Sequence, residues 1–505
     1  MFEPDAPWPP KPVEQIMPRL AEWSAWYDGS VEALTAVYQR TTAPRIRPSQ
    51  LAGGVVGAVS RFFWGQPQSV TGQARHRLHM PIAADIATAS SDLLFGEELG
   101  VDADGKDLTR LSEILDGNSW QSLLPEAAEL CAALGGVYLR AGWDQDVAGH
   151  PLASVIHADG AIPTFVYGRL RRVTFWQVVK SDGATVWRHL EHHEPGRIVH
   201  ELRQGDAGRL GRPVPLAEST ETAGIPVDAD SAIVTGIPKL TVSYIPNVRP
   251  NRRWRTDPVG RNLGRADIDG SEPFMDALDE AWTSWMRDIR LGKSRIMVPS
   301  AMMTSSGPGT SAIFDVDREV YVAMNAMGDP NAALSQQISA HQFTIRVAEH
   351  AQTVRGLLGT IVQSSGYSAQ TFGLPEDAAA TATEVTSRER RSMATREKKS
   401  RYWTDGLEDF LETLTMLDRQ VFRQGEILSP QVSFPAAAAP SPREVAESVQ
   451  LLNSAQAVSI ETRVRMVHSD WDDERITAEV AAIKAEQNMG DIGPVDVSLD
   501  PATLA

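Results

Sequence analysis

One cysteine in 505 residues leaves no room for an intramolecular disulfide framework or for a metal site built from several thiolates. That residue, Cys131, lies among alanine, leucine and glycine and reads as a small core residue. The scarcity of cysteine points to a cytosol as the place of assembly. Long apolar runs are missing too. No stretch approaches the roughly 18 residues needed to cross a bilayer, and the proline-rich, acidic residues 1–12 lack the apolar core of a signal peptide. Positive charge is in deficit: 48 Lys and Arg stand against 65 Asp and Glu, a net of −17. That balance opposes nucleic-acid binding through a generic basic surface, so any contact with DNA has to be local or transient.

Catalytic signatures are equally scarce. No G-x-x-x-x-G-K-[ST] loop occurs, which argues against a packaging ATPase. Gly307-Pro-Gly309 has no third glycine, and neither a convincing strand before it nor a helix opening on it, so it reads as a flexible loop. His189 and His193 have the spacing of a helical zinc pair, with His192 beside them. Their segment reads as a strand, however, where residues four apart lie about 13 Å from each other. Surface or partly buried histidines are the expectation, with no metal and no cofactor. Asp472-Asp473-Glu474 reads as the acidic first turn of a helix rather than a cation site. With no G-x-S-x-G or comparable nucleophile, a nuclease or hydrolase has no constellation to work with, and the expectation is that the chain is not an enzyme.

What is present is a chain of ordinary globular composition, 42% hydrophobic and 22% charged, long enough for two to four structural units. Apolar spacing predicts helices over 13–40, 81–95 and 115–134, the last stopping at Gly135-Gly136. The run Leu51–Val59 leads into the aromatic patch Phe62-Phe63-Trp64. From 137 to 242, short β-type runs such as Val173-Thr-Phe-Trp-Gln-Val-Val alternate with turn residues and predict an antiparallel meander. After a polar loop at 247–270, Ser271-Glu-Pro opens a long helix with Phe274, Leu278, Trp282, Trp285 and Ile289 on one stripe. Its acidic residues come early, and Arg287, Arg290, Lys293 and Arg295 come late, matching the helix dipole.

A compact β-like piece around Ile296-Met-Val and Ile313–Met324 follows, holding the Ser/Gly loop 304–311, and then a second long helix over about 336–365. A third long helix follows residues 367–380. Its second half is patterned by Trp403, Leu407, Phe410, Leu414, Leu417 and Val421. Its first half is polar, and residues 386–401 carry a net of five positive charges, including Arg388, Arg390, Arg391 and Arg396. They read as a solvated face or a seam with an acidic neighbour, or as a contact with nucleic acid. Beyond the Pro/Ala linker 435–442 two or three short helices are expected, and residues 440–505 have a net of seven negative charges. The fold class is α+β and mostly helical.

Four segments carry a resemblance. Asp276-Ala-Leu-Asp-Glu-Ala-Trp-Thr-Ser-Trp-Met-Arg-Asp-Ile-Arg leading to Pro299 resembles the long helix of portal proteins from tailed double-stranded-DNA bacteriophages, of the long-tailed type that infects actinobacteria. Leu78–Phe95, Ala382–Met393, and Ser459-Ile-Glu-Thr-Arg with Trp471-Asp-Asp-Glu-Arg-Ile are similar to that family in the same order.

The resemblance implies a wing over 1–270, containing the β-meander 137–242, and stem helices over 271–295 and 336–364 with a clip at 296–335 between them. It further implies a wing return over 365–424, a tunnel loop at 373–382 and a crown over 425–505. It also implies a homo-oligomeric ring, most often of twelve, at a capsid vertex of the virion, assembled in the host cytoplasm and without contact to membrane. Double-stranded DNA passes through its channel without sequence recognition. Terminase, head–tail adaptor, major capsid and scaffold proteins are the partners so implied. Tunnel-loop residues would be Leu374, Pro375, Glu376, Asp377 and Thr381. Another head component, a minor capsid or connector protein, is the alternative reading.

Overall fold

In the computed structural model, residues 2, 3, 5–41, 77–291, 295–299, 321–324, 339–341, 346–374, 382–435, 442–455, 457–468, 471 and 473–490 are described. The readings at 51–64, at 304–311 with Gly307-Pro-Gly309, and at Asp472 lie outside them. The chain divides into two compact units, Met1–Pro435 and Ala436–Ala505.

The first unit opens with α1 (Met17–Asp28) and α2 (Val31–Thr41). The sequence pattern runs through both as one helix. Gly29 breaks it by taking φ +65°, and its N–H closes on the Ala25 carbonyl at 3.1 Å, a left-handed helix stop. Helix α3 (Ile82–Phe95) stands where expected. The predicted helix at 115–134 is two helices, α4 (Thr109–Gly117) and α5 (Trp120–Leu134). The Asn118 side chain separates them by donating to the carbonyls of Ile114 (2.7 Å) and Pro151 (2.9 Å), while Ser119 sits at φ +51°. Strand β1 (Gly100–Asp102) precedes this pair. Cys131 is fully buried in α5, where burial pushes its thiol up.

The expected meander is two antiparallel sheets. β2 (Gly136–Gly142) lies between β3 (Leu152–His157) and β10 (Val242–Pro246). The larger sheet runs β4 (Ala161–Val166), β5 (Arg169–Asp182), β6 (Thr185–Glu194), β7 (Arg197–Gly205) and β8 (Arg212–Val214), with β9 (Ala232–Val234) also on β7. Residues 247–270 form the expected loop apart from one short 3-10 turn. Then come α6 (Glu272–Leu291), a three-stranded sheet of β11 (Arg295–Pro299), β12 (Tyr321–Met324) and β13 (Ser339–His341), and α7 (Val347–Ser365). β11 is central, parallel to β12 and antiparallel to β13. Two helix lengths are corrected here. α6 ends at Leu291 and Arg295 is already paired in a strand, while residues 339–341 are a strand and not the start of α7.

Helix α8 (Ala382–Leu417) has 36 residues, about 54 Å at the usual rise, and ends in a π turn through Phe422. Trp403, Leu407, Phe410, Leu414 and Leu417 are wholly buried, as their spacing predicted, and so is Leu411, whereas Val421, expected on the same stripe, lies in the π turn and is half-buried. The helix approaches β10 so closely that a Cβ on Gly406 would stand 2.5 Å from Ile245. β14 (Gln431–Ser433) pairs with β1, so residues 425–435, which the resemblance put with a C-terminal crown, belong to the first unit. The second unit holds α9 (Pro442–Ser454), α10 (Ile460–Val467) and α11 (Asp473–Gly490). Ser459 caps α10 by accepting from the Thr462 N–H at 3.2 Å.

Two buried polar clusters hold the first unit. At the first, the Lys399 ammonium on α8 donates to Asp267 (2.5 Å), Ser90 (2.6 Å) and the Tyr367 hydroxyl (2.9 Å). Asp267 also accepts from Tyr367 (2.8 Å) and Asn247 (2.8 Å). The second lies on β6 and β7. His189, His192 and His193, expected at the surface or partly buried, are buried, and so is His200. The His189 and His200 rings stack at 5.2 Å and share one proton over 3.0 Å. His193 bridges Glu191 (2.6 Å) and Thr241 (2.7 Å), and Arg140 reaches Glu191 at 2.8 Å. Burial lowers His189 and brings His200 down to about 4. Burial would raise Glu191, but the His193 bond and the charges of His193, Arg140 and His200 outweigh it and bring the carboxyl to about 2.

Two predictions follow from these clusters. Lys399→Met leaves Asp267 buried and uncompensated, so chemical unfolding should show a loss of about 3–5 kcal/mol. Adding Asp267→Leu should return most of it. For the histidines, the unfolded chain takes up protons first, at about 6.5 against about 4 for folded His200. The contribution of His189 and His200 is therefore full above pH ~6.5 and is lost as pH falls toward 4, and that of Glu191 is lost between about 4.5 and 2. Melting temperature should drop across both windows, and His200→Gln should flatten the upper one most while also weakening the lower, since the His200 charge is one of those that lower Glu191.

Candidate functional site

Helices α6 and α7 run antiparallel, and polar contacts tie them at both ends. Near the base the hydroxyls of Ser271 and Ser364 meet at 2.6 Å. Farther out, His350 of α7 binds Asp288 of α6 at 2.9 Å and stacks on Trp285, with ring centres 6.0 Å apart and planes at 6°. Trp285 in turn meets Trp282 edge to face at 5.3 Å. Twenty residues make α6 about 30 Å long.

Buried carboxylates fix the base of α6. Glu272 accepts from Trp23 (3.0 Å), Arg19 (3.1 Å) and the Gly270 N–H (2.8 Å). One face further along, Asp279 accepts from Tyr38 (2.6 Å), His79 (2.9 Å) and the Met80 N–H (2.9 Å). Burial, and then the bond to Asp279, push the Tyr38 phenol up. Asp276 pairs with Arg77, yet burial outweighs that pair and raises its carboxyl. Sequence reading took these acids only as complements to the helix dipole. Their buried role was legible in the spacing: Glu272, Met275 and Asp279 share one face, and Met275 and Leu278 are core residues.

The apolar stripe is divided. Leu278 is wholly buried and Trp282 and Trp285 are half-buried, whereas Phe274 and Ile289 are 41% and 40% exposed. On α7, Val354, Ile361 and Val362 face the core, while Val347, Gln352, Arg355, Gly356 and Thr360 are open. Part of each helix surface is therefore uncovered by its own chain.

The basic residues singled out from sequence separate into different fates. Arg287 and Arg290 are exposed on the last turns of α6 with no ion-pair partner among the described residues. Lys293 lies outside those residues, and Arg295 is in β11. On α8, Arg388 is placed by its backbone only, and Arg390 is exposed. Arg391, also exposed, donates to the Gln363 carbonyl at the end of α7 (2.6 Å). Arg396 is a correction: it is buried and donates to the carbonyls of Leu93 (2.5 Å) and Pro435 (2.9 Å), so it is a bolt inside the subunit and not a surface contact. Lys399, three residues on, is spent in the same way. Of the loop residues, Leu374 is half-buried against the core, and Pro375, Glu376, Asp377 and Thr381 lie outside the described residues.

Among the described residues no group of three or more His, Cys, Asp or Glu could hold a metal ion, and no helix is long and apolar enough to cross a membrane. What the geometry provides is a braced, two-helix arm with a small sheet between its helices.

No curated protein sequence matches this chain. Solved structures are similar to it, two of them as follows. One, described as "Neck of empty GTA particle computed with C6 symmetry", has 12% identity and a TM-score of 0.40, covering 77% of this chain and 90% of that one. The other, "Neck of native GTA particle computed with C12 symmetry", has 11% identity and a TM-score of 0.36, covering 88% and 98%. The family described as "Phage portal protein, SPP1 Gp6-like" matches over residues 13–492, nearly the whole chain, and the protein therefore belongs to that family of structural virion proteins.

Proposed function

We propose that this chain is the subunit of a portal ring at one capsid vertex, through which double-stranded DNA is packaged and later ejected. The observation that carries the reading is the family match along 13–492. The uncovered faces of α6 and α7 support it. A braced helix pair about 30 Å long, repeated around an axis, lines a channel and covers Phe274 and Ile289 with neighbouring subunits. The α6–α7 pair is then the stem. The small sheet of β11, β12 and β13, inserted between antiparallel helices, sits at the stem's far end, where the terminase docks first and the head–tail adaptor afterwards. Capsid and scaffold proteins surround the rest. The particle is a tailed phage of the long-tailed type, assembled in the host cytoplasm.

A net charge of −17 suits a channel that DNA slides through without adhering. Residues 374–381 contain Pro375, Glu376, Asp377 and alanines, with no Arg, Lys or aromatic side chain to grip a duplex. As the tunnel loop they make a non-adhesive collar.

Two measurements test this. Native mass measurement should give a species of about 660 kDa, twelve times the 55.1 kDa chain, and negative-stain images should show rings with a central channel. A strictly monomeric protein at micromolar concentration would defeat the proposal. Glu376→Lys with Asp377→Lys should leave the ring mass unchanged and slow the packaging of DNA per head. A normal packaging rate in that variant would remove 374–381 from the constriction.

A further inference from the structure

The hairpin joining β4 to β5 carries three local anomalies. Its two-residue turn is Tyr167-Gly168, closed by the Val166–Arg169 pair, with φ +50° at Tyr167 and +80° at Gly168. Turns of this kind favour Asn or Asp at the first position, and a bulky residue at positive φ is an outlier that stores strain. The Tyr167 side chain touches nothing in its own subunit, being as exposed as in an extended chain (103%), and Val166 beside it is 47% exposed. The register then slips between Thr164 and Phe165, leaving Arg171 as the extra residue of a β-bulge, a device that re-aims a side chain. Arg169 and Arg171 are exposed and have no ion pair among the described residues. The hairpin thus presents a tyrosine flanked by two free arginines, the residue types that dominate the binding energy of interfaces.

The same unit contains a recess of the opposite character. A cavity of about 210 Å³ has an apolar floor that includes Phe95, Leu108 and Trp120, and an exposed acidic rim of Glu97, Glu98 and Asp116. It is smaller than the ~300–1,000 Å³ of small-molecule sites and suits one protruding side chain.

A subunit cannot fill its own recess. Phe165 of the hairpin packs on Tyr244 at 5.7 Å, and the Tyr244 hydroxyl accepts from the Gly264 N–H at 3.0 Å. Gly264 lies against Gly135, the residue that ends α5. The recess is built on the other end of that helix, from Trp120, Gln121, Leu124 and Pro125. The 15 residues of α5 separate the two by about 22 Å.

We propose that the Tyr167 hairpin of one subunit seats in the Glu97/Glu98/Asp116 recess of a second copy of this chain, with Tyr167 on the apolar floor and Arg169 and Arg171 against the acidic rim. A knob at one end of α5 and its hole at the other make a head-to-tail contact, the kind that closes into rings. This inference rests on the ring reading given above and assigns one of its contacts.

Two experiments test it. Tyr167→Asn installs the turn's preferred residue, so the melting temperature of the isolated subunit should hold or rise while rings dissociate at a concentration at least tenfold higher. Rings of unchanged strength would overturn the contact. A loss of rings with a fall in subunit melting temperature would assign Tyr167 to the fold and overturn it as well. In the second, Val166→Cys and Ser112→Cys place thiols on the hairpin and the recess lining, and Cys131 is fully buried. A short bismaleimide should join the double variant into a ladder of covalent oligomers and leave each single variant as monomer on a denaturing gel. Rings without a ladder would overturn this contact and leave the ring reading standing. A wild-type chain that never forms rings would end both.

Discussion

An ammonium group enclosed by protein is tolerated only when its charge and all its protons are answered. Lys399 is 1% exposed and has three partners, the carboxylate of Asp267 and the hydroxyls of Ser90 and Tyr367. Each partner comes from a different element. Asp267 lies just before α6, Tyr367 just after α7, and Ser90 in α3. The base of the helix pair, the long helix α8 and α3 are therefore pinned at one polar point. Because the penalty for breaking any part falls on the remaining charge, the point behaves as a single rivet and not as separable bonds.

This rivet also explains how the positive charges of the chain are used. Arg396 is bound to two carbonyls, Arg110 clasps the buried Asp418 at 3.0 and 2.8 Å, and Arg253 holds Asp269 at 2.7 Å. Cations that could have formed a basic surface are consumed in the interior and at element junctions. Among the described residues the buried charges balance, with Arg188, Arg203, Arg396 and Lys399 set against Asp267, Glu272, Asp279 and Asp418, so the net negative charge of the chain is left at its surface. Arg287 and Arg290 at the end of α6 and Arg169 and Arg171 at the hairpin are among the arginines left exposed and without an ion pair in the described residues.

Much of the architecture was legible because burial imposes a period on the sequence. The second half of α8 and the stop of α5 at Gly135 were read correctly for that reason. Errors cluster where one residue's local bonding overrides the period. Gly29 and Asn118 each cut a continuous apolar pattern into two helices. Ser339–His341 has the helix-like spacing of its neighbours, but pairs with β11. The polar half of α8 was the hardest to read, since a run of Arg and Lys looks alike whether it faces water or threads a core. Only the partners decide it, and Asp267 and Leu93 are 132 and 303 residues away from theirs. The braced base of the arm was missed for the same reason, although the face shared by Glu272, Met275 and Asp279 held the clue.

The proposed ring needs stiffness along each subunit and a repeated joint between subunits, and the two demands fall on separate parts of this chain. Stiffness belongs to the interior. Glu272, Asp279 and the Lys399 cluster fix the arm to its unit through hydrogen bonds that sit out of water and are therefore strong and orientation-dependent. The proposed joint belongs to the surface, where Tyr167 is held out on a strained turn and a recess lies at the far end of α5. Because α5 is itself packed between α3 and β2, a load on one joint passes through a rigid element to the next. Subunits linked in the proposed way would turn together, and the α6–α7 pair, riveted to the same unit, would follow them.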